Sequence, residues 1–280
     1  MNISILYSLF KNSTGVSTDT RKIEKGNIFF ALKGPNFDAN AFAPKALEMG
    51  ASVVVIDDIK HFLEDDERYF LAEDALKMLQ DLGNYHRKHL TIPIIGLTGS
   101  NGKTTSKELM KAVLSKKFKT AATVGNLNNH IGVPLTLLAI TETHEIAIVE
   151  MGANKQRDIE ELCLIAEPTH GLITNIGRAH LEGMGGPEGV LKTKTELFQF
   201  LRENGGTVFI NSKDPILSNF IKRFENPVLY PAKGDFCEVT FIEANPFVKF
   251  SVEGMNEVFL SHLIGAYNFG NIATALTIGK

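Results

Sequence analysis

Apolar residues along the chain change their spacing several times, and each change marks an element. Asn27 to Leu32 (NIFFAL) and Ser52 to Ile56 (SVVVI) are almost unbroken apolar runs, the pattern of short strands buried on both faces. Between them Ala41 to Met49 predicts a helix, stopped by Gly50 in the C′ position. Ala75, Leu76, Leu79 and Leu82 recur at helical spacing, which predicts a helix over Ala72–His89 and a boundary at Leu90–Pro93. Residues 1–89 therefore read as a small α/β domain.

From Ile92 onward, apolar strands alternate with amphipathic helices. The predicted strands are Pro93–Thr98, Glu145–Glu150, Gly171–Asn175 and Thr207–Asn211, with a weaker one at Pro227–Tyr230. The predicted helices are Thr104–Lys116, Lys155–Ile165 and Glu188–Leu201. Such alternation implies a mostly parallel sheet with helices on both faces. Residues 237–261 alternate apolar and polar positions like antiparallel strands, and Asn268–Ile278 reads as a final helix. The expected fold is α/β: a small N-terminal domain over 1–89 and a central sheet domain over 90–280.

Composition narrows the picture without redirecting it. A chain of 280 residues, 44% hydrophobic and 22% charged, can bury two cores. Its formal net charge of -3 argues against nucleic acid or an anionic membrane as a bulk partner. Cys163 and Cys237 lie far apart without CxxC spacing, so reduced, buried thiols are expected. The N-terminus lacks a basic n-region, and no run approaches the roughly 20 apolar residues of a membrane span. A soluble, cytoplasmic protein is the expectation.

The candidate chemistry begins at residues 94–106, IIGLTGSNGKTTS. A strand runs into Gly99-Ser100-Asn101-Gly102, and Lys103-Thr104-Thr105 then opens a helix. Glycines allow a tight turn whose N–H groups converge on phosphate oxygens, and the helix N-terminus adds partial positive charge. Lys103 can reach β- and γ-phosphates, and the Thr104 hydroxyl suits a Mg²⁺. Leu97 stands where the strict phosphate-loop pattern has its first glycine, so a plain glycine turn is the alternative. Glu150 ends the apolar strand EIAIVE, and His180 follows the strand over 171–175; both fall where open α/β sheets present ligand groups. A solvated strand-end acid and a loop histidine are the plainer readings. Asn126, Asn128 and Asn129 beside Gly125 and Gly132, together with Asn175, read either as turn residues or as substrate contacts. Ser17, Thr18, Asp19, Thr20 and Arg21 form a polar cluster that by default is a solvated turn.

The loop TGSNGKT resembles the ATP loop of the Mur ligases and their folylpolyglutamate synthase relatives. Further segments match in collinear order: TVGNLNNHIGVP (123–134), similar to the asparagine loop of the MurF type; VEMGAN (149–154); TNIGRAHLEGMGGPEGVLKTKTELF (174–198); and STDTRKIEKGNIFFALKGPNFDANAF (17–42), which is similar to the uridine-binding domain of the family. The resemblance implies an ATP-dependent ligase that adds D-Ala-D-Ala to UDP-N-acetylmuramoyl-tripeptide through an acyl phosphate. It implies catalytic roles for Lys103, Glu150, His180 and Lys194. Two Mg²⁺ ions would be held by Thr104, Glu150, His180 and a carbamylated Lys194. It further implies that Ser17 to Arg21 contact the uridine diphosphate. The asparagines Asn126, Asn128, Asn129 and Asn175 would hold substrate or phosphates. Asn268 and Asn271 in GAYNFGN would meet the adenine, with Tyr267 in place of the family's usual histidine and helix capping as the alternative.

Mur ligases also carry a C-terminal domain, which is not expected within these 280 residues, so binding of nucleotide and UDP-sugar without completed ligation is anticipated. A monomer with no nucleic-acid partner and no membrane insertion is expected. The competing readings are a MurE-type ligase adding a diamino acid, a P-loop kinase or hydrolase, and a non-catalytic module that binds the UDP-precursor.

Overall fold

The computed structural model describes residues 2–177 and 181–280. The chain divides into two compact units: Met1–Thr91 with His130–Thr141, and Ile92–Asn129 with Glu142–Lys280.

The first unit opens with α1 (Ile3–Lys11), capped by the Asn2 side chain, which accepts from the Ser4 N–H. It continues through β1 (Val16–Ser17), β2 (Ile28–Phe30), the small hairpin β3 (Lys33–Gly34) and β4 (Phe37–Asp38), and α2 (Ala43–Glu48). β5 (Val53–Ile56), β6 (Tyr69–Leu71) and α3 (Ala75–His89) complete this stretch. Four strands form a parallel sheet in the order β1-β2-β5-β6. Alternate residues serve two cores, which is why the strand sequences run apolar without interruption. Ile28, Phe30, Val53 and Val55 pack with Leu6, Leu79 and Leu82. Phe29, Val54 and Ile56 pack with Ala39, Ala43 and Ala46. Each such large side chain contributes about 1.5–3 kcal/mol on burial. The third helix starts at Ala75 rather than at Ala72, because the Asp74 side chain accepts from the Lys77 N–H and caps it there.

The second unit begins with β7 (Ile94–Thr98), α4 (Lys103–Leu114) and β8 (Thr120–Ala122). The chain then returns to the first unit as α5 (Gly132–Leu138), so residues 130–141 do not belong to the 90–280 domain in which the sequence placed them. The reason is a close helix contact: α5 buries Leu138 with Leu79 and Leu82 of the first core. A Cβ on Gly83 of α3 would stand 2.9 Å from the Pro134 ring.

The remaining elements are β9 (Ile146–Glu150), α6 (Asp158–Ala166), β10 (His170–Ile173), α7 (Leu181–Met184), α8 (Pro187–Glu203), β11 (Thr207–Asn211) and β12 (Val228–Tyr230). An antiparallel sheet follows, from β13 (Val239–Ala244), β14 (Phe247–Val252) and β15 (Val258–Ile264), and then α9 (Asn268–Gly279). The main sheet is parallel throughout, in the order β12-β11-β10-β7-β9-β8. On one face Met110, Leu114 and Ala275 of α4 and α9 cover Ile95, Leu97, Ile148 and Leu172. On the other, α8 comes so close that a Cβ on Gly171 would meet Leu201 at 2.7 Å.

β7 lies between β9 and β10, and the chain leaves it in one direction through α4 and later returns to its other side. That reversal opens a crevice at the carboxyl ends of these strands, the usual ligand position in such sheets. Among the described residues no helix is long and apolar enough to cross a membrane.

Candidate active site

The phosphate loop occupies this crevice. β7 ends at Thr98, and α4 starts at Lys103, one residue earlier than the sequence suggested. Gly99 (φ +146°) and Gly102 (φ +76°) both lie in the region that favours glycine. A Cβ at Gly99 would stand 2.0 Å from Thr174 Oγ1, and one at Gly102 would stand 2.6 Å from Asn271 Oδ1.

The loop is fixed by the chain that follows β10. Asn175 O accepts from Ser100 N (3.0 Å), and Asn175 Oδ1 accepts from Asn101 N (3.1 Å). Thr174 Oγ1 (2.7 Å) and Asn175 Nδ2 (2.9 Å) donate to Asn101 O. This corrects the predicted strand over 171–175: it stops at Ile173, because Thr174 and Asn175 give their polar groups to the loop instead of continuing as strand. Gly99→Ala is expected to lower stability by about 1–3 kcal/mol through backbone strain and the Thr174 clash. The same change should cut nucleotide affinity at least about tenfold as the loop shifts. Thermal denaturation and binding of a fluorescent ADP analogue on one preparation check both.

Lys103 folds back over the loop, its Nζ donating to Gly99 O (2.9 Å) and Ser100 O (3.4 Å). Burial lowers its pKa below 10.5, with Glu150 opposing. Glu150, the last residue of β9, is 1% exposed. Its Oε2 lies 3.2 Å from Thr104 Oγ1, and its Oε1 accepts from Asn128 Nδ2 at 2.8 Å. A buried carboxylate is costly unless paired. Lys107, which the sequence reading passed over, has its Nζ 4.0 Å from Glu150 Oε2. The signal was there: Lys107 shares the buried stripe of α4 with Met110 and Leu114.

Lys194 of α8 is 2% exposed. Burial, and then the charge of Lys103, push its pKa down to about 8. Lys194 is thus an enclosed side chain of α8, not one on an exposed helix face. His180 lies outside the described residues.

Asn128 joins the site through Glu150, and its carbonyl accepts from Gly152 N at 2.7 Å. Asn126 and Asn129 are exposed in the same loop. Asn268 and Asn271 sit in the first turn of α9, where Tyr267 holds the capping position without a side-chain bond. Their amides are linked to each other (2.9 Å), to Ser106 Oγ of α4 (3.0 Å) and to Ile264 O (3.0 Å). They brace α9 against the phosphate-loop helix.

In the first unit, Thr18, Asp19, Thr20 and Arg21 line a cleft of about 460 Å³ together with Phe29, Phe37, Ala39 and Phe42. Asp19 accepts from Arg21 Nε (2.9 Å) and Nη2 (2.8 Å), and this pairing holds its carboxyl at about 2. Ser17 sits behind the cluster, its Oγ donating to Asp19 O (2.9 Å). The stacked rings of Phe37 and Phe42, 5.6 Å apart, were not anticipated from sequence. Exposed aromatics at a loop rim carry no periodic signal.

A glycine loop at the switch point of a parallel sheet, with Lys103 folded over it and Thr104 against a buried strand-end carboxylate, has the form of a nucleotide-binding α/β unit. Comparison with known sequences agrees. The Mur ligase middle domain matches residues 97–279, and the profile described as the Mur ligase family, catalytic domain, matches residues 12–87. The chain belongs to the Mur ligase family.

Among curated relatives, the UDP-N-acetylmuramoyl-tripeptide--D-alanyl-D-alanine ligase of Bacillus subtilis is 35% identical over 265 residues, covering 95% of this chain and 58% of the relative. MurF from Acinetobacter baumannii superposes with a TM-score of 0.84 at 28% identity, over 99% of this chain and 64% of that one. MurF ligase from Thermotoga maritima, solved in complex with ADP, gives 0.80 at 29% identity, over 96% and 62%. The chain thus spans about three fifths of the length of these relatives.

Proposed function

We propose that this chain serves an ATP-dependent amide ligase of the MurF type, joining D-Ala-D-Ala to UDP-N-acetylmuramoyl-tripeptide. The observation that carries the reading is the convergence of Lys103, Thr104 and Glu150 at one sheet edge. A carboxylate is a poor electrophile and must be activated before an amine can displace oxygen from it. In the proposed reaction a tripeptide carboxylate oxygen attacks the γ-phosphorus of ATP, and the bond to the β,γ-bridging oxygen breaks, releasing ADP. The amine of D-Ala-D-Ala then attacks the acyl carbon, inorganic phosphate departs, and the nitrogen loses a proton. Phosphoryl transfer requires chiefly positioning and neutralisation of spreading charge. The N–H groups of Gly99–Thr104 and the Lys103 ammonium are the groups to supply them.

The Glu150 carboxylate and the Thr104 hydroxyl are hard oxygen donors, which suits Mg²⁺. Bound there, such ions would neutralise phosphate charge. His180 and a carbamylated Lys194 are proposed to complete a second ion's ligands. In the same reading Ser17 to Arg21 face the uridine diphosphate, the asparagine loop and Asn175 face substrate or phosphates, and Asn268 and Asn271 lie beside the adenine. The protein is read as a cytoplasmic monomer.

Calorimetric titration of the chain with ADP–Mg²⁺ and with UDP-N-acetylmuramoyl-tripeptide tests the proposal. Both ligands are expected to bind. ADP formation that proceeds equally without the tripeptide precursor would favour a kinase or hydrolase, and failure of both ligands to bind would sink the assignment.

A further inference from the structure

Lys107 takes no part in the chemistry above, yet its side chain is 0% exposed. A lysine on an apolar helix face ordinarily leads its ammonium out to water. Here it stays inside. Its Nζ donates to Gly125 O (3.3 Å) and stands 3.0 Å from Glu108 Oε1 and 4.0 Å from Glu150 Oε2. Helix α4, the asparagine loop and the end of β9 therefore meet at one ammonium. Glu150's other oxygen is held by Asn128 of that same loop.

At 4.0 Å Lys107 makes no hydrogen bond to Glu150, so it acts there as a field rather than as a ligand. Lys103 and Lys107 together outweigh the single Glu150 charge, while Glu108 is 61% exposed and screened by water. A bare divalent ion entering this space gains one carboxylate and meets two ammonium groups. An ion that arrives on nucleotide phosphates brings several negative charges with it, and the balance reverses.

We propose that Lys107 is a positioning residue that acts as the resident counter-ion of Glu150 and anchors the asparagine loop, so that a divalent cation is admitted to Glu150 only together with nucleotide phosphates. The inference rests on the reading of Glu150 as a metal ligand.

Mn²⁺ titration followed by electron paramagnetic resonance, with and without ADP, tests it on the folded chain. The wild type is expected to bind Mn²⁺ weakly alone and much more tightly with ADP. Lys107→Met should tighten binding of Mn²⁺ alone by about tenfold and shrink the coupling between Mn²⁺ and ADP by a similar factor. A lysine with only a packing role would change stability and leave that coupling where it was. Lys107→Gln, which removes the charge but keeps an N–H donor for Gly125 O, should likewise tighten binding of Mn²⁺ alone, and it decides the matter if Lys107→Met does not fold. Equal affinity for Mn²⁺ alone in the wild type and the deciding variant overturns the proposal. Glu150→Gln separates the two readings. If it abolishes Mn²⁺ binding while Lys107→Met changes nothing, only the role of Lys107 fails; if it leaves Mn²⁺ binding intact, the metal-site reading fails and this proposal with it.

Discussion

Replacing Glu150 with glutamine is expected to lower affinity for ADP–Mg²⁺ by about a hundredfold, equivalent to roughly 3 kcal/mol, while changing stability much less. The two effects differ in size for one reason. Glu150 is 1% exposed, and an ionised carboxylate in that position has lost its hydration shell. What the protein returns is a hydroxyl contact from Thr104, one amide bond from Asn128 and a distant ammonium. The amide of glutamine keeps the volume and can still accept from Asn128; it removes one buried charge but leaves the Lys107 ammonium with only Gly125 O and Glu108, so the two effects on the fold oppose each other. Binding should suffer because a neutral amide oxygen is a far weaker ligand than a carboxylate for a divalent ion. Paired melting curves and calorimetric titrations check this. A variant that binds ADP–Mg²⁺ like the wild type would remove Glu150 from the site.

Much of this architecture was legible because the central strands are buried on both faces. Val53–Ile56, Ile94–Thr98 and Ile146–Glu150 are apolar runs that can hardly be anything but interior strands. The edge strands β1, β6 and β8 are only two or three residues long, too short for a pattern to stand out. The helix Gly132–Leu138 is apolar on sequence too, but its allegiance to the first unit depends on Gly83, far away along the chain.

The site divides in the same way. Lys103, Thr104 and Glu150 stand at the ends of strongly patterned elements, so their convergence followed from the strand–helix alternation. Thr174 did not reveal itself, and Asn175 was expected as a substrate contact, not as a brace, because a strand and a chain that braces a phosphate loop have the same composition. Lys107 sat on a readable stripe, but what encloses its charge comes from Gly125 and Glu150. Local spacing shows that a side chain is buried; it does not show against what.

Raising the pH from 7 to 9 at fixed dissolved CO₂ is expected to strengthen ADP–Mg²⁺ binding by about tenfold, provided that Lys194 carries the proposed carbamate. Only the neutral amine reacts with CO₂: its lone pair attacks the carbon, and the nitrogen gives up a proton. With its pKa lowered from 10.5 to about 8, first by burial and next by Lys103, Lys194 offers that amine in a small fraction at pH 7 and predominantly at pH 9. The modification would change the sign of the site. An ammonium about 4 Å from a divalent ion is repelled by roughly 8 kcal/mol at an effective dielectric of 20, whereas a carbamate attracts it.

Stability follows its own linkage. Between pH 8 and 10.5 the unfolded chain holds a proton on this lysine that the folded chain has released, so stability rises with pH across that window. Below pH 8 the cost of burying the ammonium is present in full. Lys194→Met should abolish the CO₂-dependent part of the pH effect on binding. A carbamate carbon should appear in the ¹³C spectrum of protein equilibrated with labelled CO₂ and should vanish in that variant. A bare amine at pH 9, with nucleotide affinity indifferent to CO₂, would return Lys194 to the role of a buried helix lysine.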